Sequence, residues 1–374
     1  MTIAVHIRFS ENTVDPANNF HYQCFTILAA KYPEHHFIFI FDKPYPPGLI
    51  IQKNISALLL PPQIRNPLLQ HYWYNFKIPA LLDKYHADHF VSNTAVCSLR
   101  TSIPQSIILN DLSFLDKKNL YTSGDTRYLK KYFKKFVAKA SSIAVTNQQV
   151  RNILAGMYPD AIDKIQVVGY GMKTASGPFK YEEIQTIKEK YAAGKEYFLA
   201  FITDATIENT IPLLKAFSAF KKRQLSNMQL ILLVSSTQKE DIIKDFANYK
   251  YRDEVKILIP ENEKQEREIS AASYAAIYLP LINILEEKGL LTLANGVPLI
   301  TSDNDFCKSL YHEAALYSPA DEMYIAEKMM MLYKDENLRN NLLHAGRSIA
   351  AAYTWENTAG KLGQSLLDTA TQTA

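Results

Sequence analysis

Two carboxylates and a lysine, Glu286, Glu287 and Lys288, fall together in the segment "PLINILEEKGLLTLANGVPLITSD" (280–303), between an apolar run and a helical pattern. Carboxylates can orient hydroxyls or act as bases, and a lysine can neutralise a departing phosphate. The plainer reading of the acids is that they complement the dipole of a helix starting there. Other polar groups stand at the ends of apolar runs, where parallel α/β sheets gather their ligands. Arg8 ends the first run, and a strand-end ion pair is its plainer role. His35 and His36 are adjacent, so on a strand they face opposite ways and make a poor metal pair.

Composition narrows the field. The 374 residues are enough for two domains, and the apolar and charged fractions are those of a globular protein. Cys24, Cys97 and Cys307 are far apart in sequence. They suit a reducing compartment and suggest neither a disulfide framework nor a close-spaced metal site. A net charge of +3 gives no reason to expect nucleic acid as a partner. No apolar run is long enough for a membrane span, and "TIAVHIR" reads as a strand rather than a leader. A cytoplasmic protein is expected. Glycine is scarce, at 12 residues, although phosphate-binding loops usually need it.

Thirteen short apolar runs alternate with helical patterns. They begin "IAVHIR" (3–8), "FIFIF" (37–41), "ISALLL" (55–60), and end "AAIYL" (275–279), "VPLIT" (297–301), "ALYS" (315–318). Most are continuous rather than alternating, as in strands buried on both faces. Helices are expected at 23–31, 209–222, 238–249, 325–333 and 337–353. The pattern implies parallel sheets covered by helices, and thirteen strands are too many for one sheet. The fold class is therefore α/β, with two doubly wound, Rossmann-like domains facing across a cleft. Residues 1–172 form the first domain, completed by a C-terminal helix at 356–374. A linker covers 173–195, and the second domain 196–355.

A series of segments in order resembles glycosyltransferase family 4, which has the GT-B fold. "IILNDLSFL" (107–115), "KASSIAVTNQQVRNIL" (139–154), "KIQVVGYGM" (164–172), "YFLAFITDATIENTIPLLKAF" (197–217), "LANGVPLITSD" (293–303) and the stretch 312–362 each match a family segment. Members transfer a sugar from a nucleotide diphosphate to an acceptor. The resemblance implies a nucleotide-sugar donor and no other cofactor, a glycan or lipid-linked acceptor, and a Glu-x7-Glu pair in the donor site. It also implies an Arg and a Lys on the diphosphate, a His on the sugar, and a glycine-rich loop after the first strand.

At those positions the sequence departs from the family. Anchored on Gly296-Val297-Pro298, the two glutamates fall at Asn283 and Leu291, and the loop glycines at Ile284 and Glu286. The lysine falls at Glu208, beside a retained Asn209; the arginine meets Thr203 or Ile207; the histidine becomes Asn110, with Asp111 kept. Replacing a cation by a carboxylate 4 Å from a phosphate exchanges attraction for a repulsion of about 4 kcal/mol at an effective dielectric of 20. The catalytic candidates are thus Asn110, Asp111 and Asn283. Donor-side candidates are Thr203, Asp204, Glu208, Asn209, Asn283, Glu286, Glu287 and Lys288. Arg8 and Asn147 are acceptor-side candidates.

Two expectations follow. One is a member of this family with standard transfer impaired or lost. The other is a non-catalytic relative that binds a partner glycosyltransferase, a glycan or a membrane. The helix "YLKKYFKKFVAKA" (128–140) has one apolar face and five lysines, which could bring the protein to the inner face of a membrane. A core helix with a solvated basic face is the plainer reading. The aromatics of "QHYWYNFK" (70–77) could stack on sugars, but belong more often to a core.

Overall fold

The computed structural model describes residues 1–9, 16, 19–50, 52–92, 95–115, 121–172, 179–234, 246, 249–281 and 287–373. Most of the segment 10–19 that follows the first strand, the opening of the expected linker and most of the helix expected at 238–249 lie outside these residues.

All thirteen apolar runs form strands, because residues apolar on both faces are buried only inside a covered sheet. The first sheet contains β1 (Thr2–His6), β2 (His36–Phe41), β3 (Ile55–Leu59), β4 (His89–Ser92), β5 (Gln105–Leu109), β6 (Ser142–Val145) and β7 (Ile165–Val167). Its order is β3-β2-β1-β4-β5-β6-β7, and every pairing is parallel. The second contains β8 (Tyr197–Ile202), β9 (Gln229–Val234), β10 (Val255–Leu258), β11 (Ala275–Tyr278), β12 (Leu299–Ser302) and β13 (Ala315–Ser318). Its order, β10-β9-β8-β11-β12-β13, is also wholly parallel. Strand order reverses between β1 and β4, and again between β8 and β11. Beyond the carboxyl ends of those strands lie the crevices where doubly wound sheets bind ligands.

The chain divides into two units, residues 1–173 with 353–374 and residues 174–352. In the first, α1 (Phe20–Lys31) and the helix Trp355–Thr373 cover one face, with Trp355, Ala359, Leu362 and Leu366 in the core. The other face is covered by α2 (Pro67–Tyr72), a π-turn Trp73–Lys77, α3 (Ile78–Lys84), α4 (Ser123–Lys139) and α5 (Gln148–Met157). Gly171 meets Trp355 so closely that a Cβ there would lie 2.6 Å from the tryptophan Cα. The second unit includes α6 (Tyr181–Ala192), the charged helix of the expected linker, which carries Tyr191 against Gln265. There α7 (Thr210–Gln224) and the helix Glu322–Lys334 pack over a core of Phe198, Leu213, Phe217 and Met329. The helix Glu287–Ala294 ends where Gly296 takes φ +70°, a left-handed conformation that fits glycine. Among the described residues no helix is long and apolar enough to cross a membrane.

Candidate functional site

In the first unit a cavity of about 350 Å³ lies at the carboxyl ends of the sheet. It brings together three of the residues singled out in the sequence, Arg8, Asn110 and Asp111. Arg8 follows β1 and donates from Nη2 to the carbonyl of Ile64, at 2.9 Å. The loop carrying Ile64 is itself held, since its N–H donates to Asp42 Oδ2 at 3.0 Å. Arg8 makes no ion pair among the described residues, so the strand-end pair expected as its plainer role is replaced by a carbonyl contact. Two of its guanidinium nitrogens are left for other partners.

Asn110 is exposed at the end of β5, and its carbonyl accepts from Thr146 Oγ1 at 3.0 Å. Asp111 Oδ1 accepts from Ser113 N–H at 2.8 Å and Ser113 Oγ at 2.6 Å. Tyr121 bonds to the same carboxylate; burial first, and then that negative charge, push its phenol well above its usual pKa. Asp111 is therefore a fixed acceptor in a network rather than a loose base. Asn147 lies apart from this cavity. Its Oδ1 accepts from Val150 N–H at 2.9 Å and caps α5, while its buried Nδ2 has no partner among the described residues.

The remaining polar lining was not singled out from the sequence: Arg65, Asn66, Gln70, Tyr121, Thr122 and Asp125. Two helix-start signals could have found most of it. Asn66 before Pro67 is an N-cap followed by proline, and Asn66 Oδ1 accepts from Leu69 N–H at 2.9 Å. Thr122 caps α4 through Asp125 N–H at 3.1 Å, in a Thr-x-x-Asp pattern. Planar amides, carboxylates and guanidinium groups around a cavity of this size suit a ligand rich in hydroxyl groups, which needs donors and acceptors side by side.

The second unit offers less. Thr203 N–H donates to Thr206 Oγ1 at 2.8 Å, and Thr203 Oγ1 accepts from Ala205 N–H at 3.2 Å. Asn209 is buried and donates from Nδ2 to Leu279 O at 2.8 Å, tying the start of α7 to the end of β11. The retained asparagine is thus a strut between two elements. Asp204 and Glu208 are exposed just before α7, where the N-terminal dipole favours negative charge. Glu287 lies in the first described turn of the helix Glu287–Ala294. Lys288 forms an ion pair with Glu266, and its ammonium lies 6.0 Å from the Phe201 ring centre. Asn283 and Glu286 lie outside the described residues.

Two further stretches place part of their apolar side chains in the core. Trp73 and Tyr74 are fully buried, Trp73 donating to Leu60 O at 2.8 Å, so they are core. On α4, Leu129, Phe133, Phe136 and Val137 are buried in the first unit, so the apolar face of 128–140 is already covered. Among the described residues no cluster of three His, Cys, Asp or Glu side chains could hold a metal ion.

No protein-family model matches the chain, and no curated protein does. Solved structures do. Sucrose-phosphate synthase from Thermosynechococcus elongatus matches with TM-score 0.71 at 15% identity, over 100% of both chains. A glycosyltransferase from Rickettsia africae matches with TM-score 0.71 at 13% identity, over 98% of both. Anabaena HepE, solved with UDP and glucose, matches with TM-score 0.67 at 12% identity, over 97% of this chain and 98% of its own. The protein thus has the two-domain Rossmann-like fold of the GT-B glycosyltransferases.

Proposed function

We propose that this protein is a glycosyltransferase-fold relative of family 4 that recognises a glycan through its first unit, with standard sugar transfer impaired or lost. The observation that carries the reading is the charge around the second unit's crevice. Asp204, Glu208 and Glu287 stand at the helix starts where a diphosphate would need positive charge, and Lys288 is paired to Glu266. The solved neighbours support the general ligand class, since HepE was captured with UDP and with UDP-glucose. Polar lining and an arginine without a carboxylate partner support a glycan in the first-unit cavity. In this reading the protein acts as a binding module beside an active partner transferase, and in peripheral contact with a membrane.

The test is thermal unfolding with millimolar UDP, GDP, ADP and TDP sugars, because a ligand bound only by the folded state raises the midpoint. No shift is expected with these donors. A shift of several degrees, together with release of nucleotide by the purified protein, would establish a working transferase instead.

A further inference from the structure

The helix Glu322–Lys334 buries Ile325, Ala326, Met329 and Leu332 in the core of the second unit. Its outer face is also apolar in part. Met323 is 48% exposed, Met331 is 36% exposed, and Met330 is half-buried. An open groove of about 380 Å³ lies there, lined by Glu327, Met330, Met331, Lys334, Asp335 and Leu338. Leu338 comes from the following helix, Glu336–Ala352, and its N–H donates to Asp335 Oδ1 at 2.9 Å. Met323, Glu327, Met330 and Lys334 are separated by four, three and four residues, so they form one stripe, with Met331 at its edge. Methionine is flexible and polarisable, and it is enriched where proteins meet one another.

The charges of the stripe are placed symmetrically and with opposite sign. Glu327 stands three residues before Met330, and Lys334 three residues after Met331. Lys334 is exposed and makes no ion pair among the described residues. Glu327 Oε1 accepts from the adjacent Lys328 at 3.1 Å, which leaves its other oxygen for a second donor. A two-fold axis between Met330 and Met331 lays a second copy of the helix antiparallel on the first. Met330 then meets the second copy's Met331, and Glu327 meets the second copy's Lys334, each contact occurring twice. A symmetric contact requires this self-complementarity, because the residue that i meets must itself meet i. A parallel arrangement would instead set Glu327 against Glu327 and Lys334 against Lys334, like charge on like.

We infer that the face formed by Met323, Glu327, Met330, Met331 and Lys334 is the interface of a homodimer, in which two copies of the helix Glu322–Lys334 pack antiparallel. The methionines supply the dry centre, and two Glu327–Lys334 pairs fix register and direction. Each copy contributes little more than one helix, less than an interface of standard size, so Kd is expected on the order of 10 μM. The inference concerns one face of the second unit and stands whether or not the chain binds a glycan.

The experiment is sedimentation velocity of the full chain, with no ligand added, at concentrations bracketing that Kd. The parent should pass reversibly from monomer to dimer, less readily as salt rises. E327K and K334E each set like charges opposite one another twice, and each should raise Kd at least about tenfold. E327K/K334E restores opposite charges and should return Kd to within about threefold of the parent's. Mixed in equal amounts, the two single variants should form a heterodimer about as tight as the parent dimer, since every pair is then of opposite sign. M331E should raise Kd at least about tenfold, because it puts carboxylates into the apolar centre. These positions are exposed, and circular dichroism spectra matching the parent's should confirm intact folding. A parent that stays monomeric at about 100 μM would overturn the inference and leave the groove to a different protein. So would single variants that dimerise like the parent, or a mixture that does not pair, since any dimer would then form through another face.

Discussion

The two units handle charge in opposite ways. Among the described residues the second unit contains nine ion pairs, among them Lys221–Glu254, Lys288–Glu266, Lys308–Asp303 and Arg339–Glu336. The first contains one, between Glu34 and His35 at 3.9 Å. Its arginine at the cavity contacts a carbonyl, and the cations of α4 stand in solvent. A positive group whose charge is met inside the protein has little left for an anionic ligand, whereas an unmatched one still attracts it. In the proposed function this contrast is why recognition is assigned to the first unit rather than to a diphosphate site in the second.

Four perturbations would break or sharpen that contrast. The largest tests how the first unit is held. Replacing Gly171 by alanine drives a Cβ to within 2.6 Å of the Trp355 backbone, and should cost about 3 kcal/mol or more. Gly360→Ala, on the helix Trp355–Thr373 with nothing within 4 Å, should be neutral or gain up to about 1 kcal/mol. Both tryptophans, Trp73 and Trp355, belong to the first unit, so fluorescence melts report on it selectively.

Acid should come next. His21 and His89 are buried in the first unit, and burial lowers both to about 4; the bond of His21 to Ser92 O opposes the shift only partly. His6 is likewise held well below 6.5, by burial and then by the nearby charge of Arg8. A lowered folded pKa means stability that is full above 6.5 and is lost as pH falls towards 4. At pH 5, His21 and His89 should each cost about 2 kcal/mol relative to pH 7. Tryptophan fluorescence should then show the first unit unfolding more readily, while hydrogen exchange in β8–β13 changes little. Equal loss in both units would remove the asymmetry.

Smaller effects are expected at the charges themselves. Arg8→Ala should weaken binding of an oligosaccharide found by screening a soluble panel by about tenfold, as for a lost charged hydrogen bond, with the melting midpoint nearly unchanged. A parent-like affinity would take the glycan out of this cavity. Glu266→Gln should cost about 1 kcal/mol of stability or less, because the pair is partly exposed. It also frees Lys288, so UDP should bind a few-fold more tightly if that ammonium can reach a phosphate. Calorimetry showing no change would mean that pairing is not what withholds it.

The fold was legible because its signals are local and repeated. A run such as "FIFIF" at 37–41 has no polar face, so only a sheet covered on both sides can bury it. The site was less legible, because its parts meet across long separations. Lys288 looks like a free cation until Glu266 arrives from 22 residues upstream. Asn209 looks like a retained ligand-binding residue, yet its amide holds β11 to α7. Arg65 and Tyr121 carry no local pattern of their own and reach the cavity through the helix starts beside them. Periodicity at 128–140 located a helix with an apolar and a basic face, and the core takes the apolar one, as the plainer reading had it.

The return of the chain to its starting unit has a consequence for biosynthesis. Residues 1–173 are made before residues 174–352, but their core lacks Trp355, Ala359, Leu362 and Leu366 until the second unit has been translated. The unit that begins before the other is therefore completed after it, and a ribosome stalled in between would leave the side chains that meet the last helix, Phe20 and Leu28, uncovered to chaperones and proteases.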